Sequence, residues 1–396
     1  MVKLYNSLSQ KTEDFVPQKL NHVSMYVCGI TPYDTTHLGH AFTYISFDVL
    51  IRYLLFKGYQ VTYAQNVTDI NDRDNDLLKR AKEQKISWRN LSDFWTKQFL
   101  DDMQKLNWRM PDKYLKASEH ISAIIKIIEL LLKNGLAYEI NGNVFFDIKR
   151  FPKFGNLSKL TEKEMLVIAK KFEEDPDNLL KKHKLDFTLW RSSQPNQPRH
   201  IPSFDSPYGK GRPGWHIECS AMAISSFGEQ IDIHGGGQDL IYPHHEAEIA
   251  QSEGGTSKKP FAKYWVHAGN VSYKNAKMSK SLGNLVLVSQ LLKKYSANAI
   301  RWMLLSHHYR KSWEFTESEI KKGEKNTRIV QKYIEKIQGI ESENEGVSKQ
   351  STTYMDNDLQ TPDVLRYILE LARINSKNKK AVISILQTLG FFPVHH

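Results

Sequence analysis

Residues 23–67 restrict the folds open to this 396-residue chain more than any other segment does. Residues 23–28, VSMYVC, are apolar and largely β-branched or aromatic, which is typical of a buried strand. A loop rich in Gly, Pro and Thr leads into a stretch with apolar residues at helical spacing, which stops at Gly58. Residues from Tyr59 onward predict a second strand. A strand, helix and strand in this order form a βαβ unit, so we expect an α/β fold around a parallel sheet.

The rest of the chain shows an interruption and then a return of the same pattern. Residues 74–134 predict helices, and residues 135–150 predict a hairpin around the Asn141-Gly142 turn. The block that follows is polar and rich in proline, and we interpret residues from about 135 to 214 as an insertion. From Trp215 a helix, a strand, a helix and a strand complete the sheet.

The C-terminal part is predicted to be helical. Helical spacing dominates from about residue 285, and the polar stretch 340–357 predicts a linker between two helical segments. We therefore expect a catalytic domain over residues 1–305 and a small helical C-terminal domain over residues 306–396.

Charge and cysteine content exclude several classes of protein. Two cysteines cannot form a disulfide framework, and no apolar run approaches the ~18 residues of a membrane span. We expect a cytoplasmic monomer with no membrane partner. The net charge of +11 is compatible with a polyanionic partner, a phosphate, nucleotide or RNA, but also with a merely solvated basic surface.

Two short motifs suggest phosphate chemistry. His37-Leu38-Gly39-His40 stands where a strand passes into a helix, and a helix N-terminus receives phosphate because its N–H groups are free. The second motif is the segment KMSKS, in which Lys277 and Lys280 can hold a leaving pyrophosphate. Taken separately, each also fits an ordinary polar turn.

Four further residues have the chemistry of metal ligands. Cys28 ends the first strand, Cys219 lies in the segment WHIECSAM, and His244 and Glu248 are four residues apart, on one helix face. Two thiolates, an imidazole and a carboxylate suit Zn²⁺. The alternative is that both cysteines are ordinary core residues.

The two phosphate motifs together resemble the signatures of class I aminoacyl-tRNA synthetases. The segments GRPGWHIECSAM, DIHGGGQDLIYPHHEAEIAQSE and KMSKSLGN resemble the cysteinyl-tRNA synthetase family in particular, over residues 1–305. The resemblance implies a Rossmann-like catalytic fold and a ligase that converts L-cysteine and ATP, with Mg²⁺, into cysteinyl-AMP. It implies one Zn²⁺ per chain that binds the substrate thiolate.

The resemblance also implies roles for individual residues. His37, His40, Lys277 and Lys280 would be catalytic, and Cys28, Cys219, His244 and Glu248 would bind the metal. The adenylate would be bound by Gly29, Ile30, Thr31, Gly39, Thr43, Gly237, Gln238, Asp239, Val271 and Lys280. The cysteine would be bound by Asn66, Val67, Thr68 and Trp215.

Two acceptors of the activated cysteine fit the sequence. The loop CGITPYDTTHLGHAFTY, with His40 at the end of its motif, and the segments VHAGNV and GNLVLVS resemble the mycothiol cysteine ligases, which use the amine of an aminosugar. The chain also stops before the basic stretch that follows in typical cysteinyl-tRNA synthetases. We expect an aminosugar acceptor, with the 3′ end of tRNA-Cys as the alternative. A non-catalytic paralogue is a minor alternative.

Overall fold

The N-terminal third of the chain contributes three strands to the central sheet. The computed structural model describes residues 1–32, 35–70, 77–172, 174–198, 200–278, 283–336 and 345–392. Its first elements are β1 (Lys3–Asn6), β2 (Lys11–Asp14), β3 (His22–Ile30), α1 (Leu38–Phe56), β4 (Gln60–Val67), α2 (Leu77–Gln84), α3 (Trp88–Lys105), β5 (Lys113–Lys116) and α4 (Ile121–Lys133). Strands β3 and β4 pair in parallel, with Met25 opposite Tyr63, so the predicted βαβ unit is confirmed.

Strand β5 contradicts the expectation of helices throughout residues 74–134. Its four residues, KYLK, pair in parallel with the end of β4, for example Gln65 with Tyr114. A strand this short between two helices has too few residues to show a period of two. It forms because the edge of the sheet is available for pairing.

The expected insertion contains a second, antiparallel sheet. Its elements are β6 (Ala137–Ile140), β7 (Asn143–Phe146), α5 (Glu162–Lys171), β8 (Phe187–Ser192) and β9 (Gly211–Pro213). Strands β6 and β7 form the predicted hairpin. Helix α5 begins with a capping box, in which Thr161 accepts from the amide of Glu164 while the Glu164 carboxylate accepts from Thr161.

The segment after Trp215 completes the central sheet. Its elements are α6 (Trp215–Phe227), β10 (Ile231–Gly237), α7 (Glu246–Thr256), β11 (Ala262–Ala268), β12 (Val271–Tyr273), β13 (Ala276–Lys277), α8 (Val288–Leu292), α9 (Ala297–Leu305) and β14 (Trp313–Glu314). The order of the five parallel strands is β11-β10-β3-β4-β5. Parallel order places the carboxyl ends of β3, β4 and β10 at one edge, where ligands bind in open α/β sheets.

The C-terminal part is helical, as predicted: α10 (Glu317–Lys336), α11 (Glu345–Asp356), α12 (Thr361–Arg373) and α13 (Lys379–Thr388). Helix α11 occupies most of the stretch predicted as a linker, and residues 337–344 lie outside the described residues. The sequence of α11 is mostly polar, but Ser351 and Met355 are buried on one side of it.

The hydrophobic core does not stop at the expected domain boundary. One cluster of buried residues includes Phe42 and Phe47 of α1, Trp302 of α9, and Ile368 and Leu386 of the C-terminal helices. The division at residue 305 therefore stays a prediction. Among the described residues, no helix is both long enough and apolar enough to span a membrane.

Candidate active site and metal centre

The four predicted metal ligands meet at the carboxyl end of the central sheet. Cys28 lies near the end of β3, Cys219 in α6, His244 in the turn leading into α7, and Glu248 in α7. All four are buried, and their ligand atoms lie within 4.8 Å of one another. Oε1 of Glu248 lies 3.3 Å from Sγ of Cys28 and 3.1 Å from Nε2 of His244. Ligands around a tetrahedral Zn²⁺ stand about 3.3–3.8 Å apart, given bonds of ~2.0–2.3 Å. The separations here are close to that range, so small side-chain shifts would let the four donors hold this ion.

A second set of possible ligands shares Cys28 and Glu248 with the first. His234, in β10, and His245 complete it, again with ligand atoms within 4.8 Å of one another. Nε2 of His234 lies 2.8 Å from Oε2 of Glu248, so the two carboxylate oxygens face different histidines. The His234 ring stacks on the buried Trp265, with 4.4 Å between the ring centroids. This second set therefore lies on the side of the cluster that faces the core. Sequence spacing alone did not place His234 or His245 in the cluster.

Burial and close contact shift the pKa values of the acidic groups in this cluster. Burial raises the pKa of the Cys28 thiol, and the hydrogen bond and charge of Cys219 raise it further. Burial would also raise the pKa of Glu248, but the neighbouring His234 and His244 bring it below its ordinary value. The Cys28 thiol therefore loses its proton here only if a positive ion offsets the charge.

Trp215 lies against the four predicted metal ligands, called the metal-type cluster below, on the side that faces the insertion. Its ring stacks on His244 at 4.5 Å between centroids and an interplanar angle of 22°. Phe172, just after α5, stacks on Trp215 in turn, at 6.1 Å. The position of Trp215, predicted to contact the cysteine substrate, is therefore adjacent to a predicted metal ligand.

The predicted cysteine pocket lies where β3 and β4 end. The amide of Gly29 donates to Oδ1 of Asn66 at 2.7 Å, and a Cβ at Gly29 would stand 1.6 Å from the Asn66 carbonyl oxygen. Only glycine allows the two strands to approach this closely. Ile30 pairs with Val67 and accepts from the amide of Thr68 at 3.0 Å. Thr31 follows directly, so the predicted residues of this turn lie together.

The first phosphate motif forms the start of α1. His37 is the N-cap, with its ring accepting from the amide of His40 at 3.3 Å, and the two rings stack at 3.7 Å. Gly39 lies between them, and a Cβ there would stand 2.9 Å from the His37 ring. The amide of Leu38 donates to Val286 at 2.8 Å, and that of Val288 donates to Thr36 at 3.0 Å.

The backbone hydrogen bonds of Leu38 and Val288 place the segment that follows the KMSKS motif beside the first motif. Of that second motif, Lys277 ends β13, where its backbone pairs with Ser272. Lys280 lies outside the described residues. Val271 opens β12, and its carbonyl accepts from the amide of Met278 at 3.5 Å.

The predicted nucleoside contacts gather at the carboxyl end of β10. A Cβ at Gly237 would stand 2.6 Å from Oδ1 of Asp239 and 4.0 Å from Oγ1 of Thr43, which places these three residues together. Nε2 of Gln238 donates to Oγ of Ser312 at 2.7 Å. Ser312 also accepts from the amide of Asn270 at 3.0 Å. No sequence signal pointed to Ser312, which reaches the site only through the fold.

A family model and the named relatives of this chain agree on one family. A family model described as the tRNA synthetases class I (C) catalytic domain matches residues 14–325. The "Cysteine--tRNA ligase" of Dehalococcoides mccartyi (strain BAV1) is 43% identical over 377 residues, covering 94% of this chain and 80% of the relative. That of Staphylothermus marinus is 38% identical over 405 residues, covering 100% of this chain and 81% of the relative.

Among solved structures, a Mycobacterium tuberculosis methionyl-tRNA synthetase in complex with methionyl-adenylate has a similar fold. Its TM-score is 0.66 at 12% sequence identity, with 93% of this chain and 91% of that chain covered. At this identity the likeness concerns the fold alone. It agrees with the predicted parallel sheet of a class I synthetase.

Proposed function

The chain belongs to the class I tRNA synthetases (C), and from that premise we propose that it activates L-cysteine with ATP and transfers it to the 3′ end of tRNA-Cys. The observation that carries the proposal is the cluster of Cys28, Cys219, His244 and Glu248 at the carboxyl end of the sheet. These residues would hold one Zn²⁺. When bound, the ion would supply a borderline-soft Lewis acid, which prefers a substrate thiolate to a serine hydroxyl.

Recognition at such a cluster makes an editing step unnecessary. A purely apolar pocket discriminates weakly between small substrates that differ by one group, whereas a site built for a specific polar group rejects analogues strongly. Trp215, stacked on His244, closes the cluster on one side. Asn66, Val67 and Thr68 at the end of β4 would hold the remainder of the amino acid.

Adenylation needs positioning and charge stabilisation rather than a side-chain nucleophile. The substrate carboxylate attacks the α-phosphorus of ATP in line, forming a C–O–P linkage as the bond to pyrophosphate breaks. The N-terminus of α1 presents a partial positive charge to the phosphates. His37 and His40 stand at that end, with stacked rings, and donate to phosphate oxygens as charge develops. Lys277 and Lys280 hold the leaving pyrophosphate, and Mg²⁺ accompanies ATP.

The remaining contacts hold the adenylate. Gly29, Ile30, Thr31 and Gly39 offer backbone along the turn that joins β3 to α1. At the end of β10, Gly237, Asp239 and Thr43 lie close enough together to contact one nucleoside. Gln238 and Val271 border the same region, with Gln238 fixed by its hydrogen bond to Ser312.

The choice of acceptor differs from the one that the sequence favoured. Relatives of 38–45% identity that span most of the chain are named "Cysteine--tRNA ligase", which favours tRNA-Cys over an aminosugar. The net charge of +11 also suits a polyanionic acceptor. In the second step the terminal ribose hydroxyl of the tRNA attacks the activated carbonyl, the ester bond forms and AMP leaves.

Charging of tRNA is the direct test. The protein is incubated with labelled cysteine, ATP, Mg²⁺ and either total tRNA or a purified tRNA-Cys transcript, with labelled serine as the control substrate. Acid-precipitable cysteine, but not serine, is expected. If tRNA stays uncharged while an aminosugar releases AMP from cysteine and ATP, the acceptor is the aminosugar. If neither acceptor is used and cysteine-dependent ATP–pyrophosphate exchange is also absent, the chain does not activate cysteine.

A further inference from the structure

A chain of three polar side chains leads from the insertion to the metal-type cluster. Oε1 of Glu174 lies 3.3 Å from Nε2 of His216, and Nδ1 of His216 lies 2.9 Å from Nδ1 of His244. Nε2 of His244 in turn lies 3.1 Å from Glu248. Both histidines are almost fully buried. The segment that supplies Glu174 is therefore connected to a predicted metal ligand through one intervening ring.

The two facing Nδ1 atoms restrict where the protons can be. A single hydrogen lies between them, so one ring must donate and the other must accept. If Nε2 of His244 faces a metal ion, that nitrogen needs its lone pair and the ring carries its hydrogen on Nδ1. His244 then donates to Nδ1 of His216. His216 must carry its own hydrogen on Nε2, which is the atom that faces the Glu174 carboxylate.

We infer that Glu174 and His216 are positioning residues that hold His244 in the tautomer that binds the metal. The inference rests on the proposed function, since it assumes Zn²⁺ at the cluster described above. Metal-bound histidines commonly donate their other N–H to a partner, and that partner fixes both the ring and its tautomer. Here the partner is a second histidine, whose Nε2 itself lies 3.3 Å from a carboxylate oxygen.

The local structure holds Glu174 in place for this role. Its amide donates to the carbonyl of Ala169 at 2.9 Å, which ties it to the end of α5, and its carbonyl accepts from Lys181. Phe172, two residues earlier, stacks on Trp215. The insertion thus delivers the carboxylate to the start of α6, where His216 begins the path to the cluster.

Loss of Glu174 removes the preference for this proton arrangement. His216 could then carry its hydrogen on Nδ1 and donate to His244. That would leave the hydrogen of His244 on Nε2, where it blocks metal binding. The two arrangements differ by a proton position rather than by a change of fold, so the effect should appear in metal affinity first.

Zinc affinity, measured by competition with a chromogenic chelator, tests the inference. Glu174→Ala and His216→Gln should weaken zinc binding about 10- to 100-fold, the range found when such supporting partners are removed. Glu174→Gln should have a smaller effect, because its amide oxygen still accepts a hydrogen bond. Glu162→Ala is the matched control, since Glu162 makes the same kind of contact with His183, 3.0 Å away, on the surface of the insertion. Circular dichroism and melting temperature verify that each variant folds.

A second measurement reads the proton positions directly. In ¹⁵N-histidine-labelled, zinc-loaded protein, His216 should show a protonated Nε2 and an unprotonated Nδ1, and the absorption of the Co²⁺-substituted protein should change in Glu174→Ala. Wild-type protein that binds no zinc would refute the metal part of the proposed function. Wild-type protein that binds zinc, with equal affinity in Glu174→Ala or with the His216 hydrogen on Nδ1, would overturn only this inference.

Discussion

Sγ of Cys28 lies 3.3 Å from Oε1 of Glu248, although 220 positions separate the two residues in the chain. The contact joins the end of β3 to α7, and Cys219 and His244 reach the same point from α6 and from the turn before α7. Zinc analysis of the purified protein should therefore give about one ion per chain, and Cys219→Ser should abolish binding, because a serine hydroxyl stays protonated and is a poor zinc ligand.

Ser225→Ala is the control for that substitution, since Ser225 lies on the same helix and its hydroxyl donates to the carbonyl of Met222 at 3.0 Å. Retention of tightly bound zinc in Cys219→Ser would contradict the assignment. It would point to the second set of ligands, in which His234 and His245 join Cys28 and Glu248. The double variant His234→Gln/His245→Gln then distinguishes the two positions.

Substitution of Gly29 should damage both the pocket and the fold. The added Cβ of Gly29→Ala would stand 1.6 Å from the carbonyl oxygen of Asn66, which is backbone and cannot rotate away. The strands must separate, at ~1–3 kcal/mol or more in the free energy of unfolding. Chemical denaturation measures this, with Gly255→Ala as the control, because its Cβ would meet nothing closer than 3.4 Å. Equal stability of the two variants would contradict the close approach.

Local sequence patterns predicted the elements of the site better than they predicted its supporting contacts. The apolar strand, the helical spacing of α1 and the Asn141-Gly142 turn are local signals, and the structure confirms all three elements. The i, i+4 spacing of His244 and Glu248 is also local, and it was enough to predict that these two ligand candidates lie together. Glu174, His216 and Ser312 carry no such signal, because each reaches its partner only through packing of distant elements. The sequence KYLK was too short to reveal β5.

The histidines at the start of α1 should affect the rate of adenylation but not zinc binding. We expect His37→Ala and His40→Ala to reduce cysteine-dependent ATP–pyrophosphate exchange about 100- to 1,000-fold, as for other donors to developing charge. Zinc content should stay unchanged. Since His37 also caps the helix, a small loss of stability, about 1 kcal/mol, should accompany its removal. His120→Gln is the control. Exchange within threefold of wild type in both variants would exclude a role in adenylation.

A buried ion pair connects α1 to α9. Arg301, in α9, is bonded to the Asp48 carboxylate and also donates from Nε to Leu389 at 2.6 Å and from Nη1 to Leu106 at 2.9 Å. Arg301→Ala removes this partner from two carbonyls and from a buried carboxylate that keeps Arg52, so we expect a loss of about 1–3 kcal/mol in the free energy of unfolding.

An exposed ion pair supplies the comparison for Arg301. Lys116 lies 2.6 Å from Asp93 with both side chains partly in solvent. Lys116→Ala should change the free energy of unfolding by less than about 1 kcal/mol in the same denaturation experiment. A loss for Arg301→Ala no larger than that for Lys116→Ala would contradict a structural role for the buried pair.

His267 should make the protein sensitive to mild acid. Burial lowers the pKa of its ring to about 3, from an ordinary value of 6.5. Below pH 6.5 the His267 ring is protonated in the unfolded chain but stays neutral in the folded chain. The free energy of unfolding therefore decreases as the pH falls from 6.5 toward 3. The loss from this residue is about 2 kcal/mol between pH 6.5 and pH 5. In metal-free protein, His267→Gln should flatten the pH dependence of unfolding by this amount. Equal slopes for wild type and His267→Gln would show that the buried ring accepts a proton in the folded state.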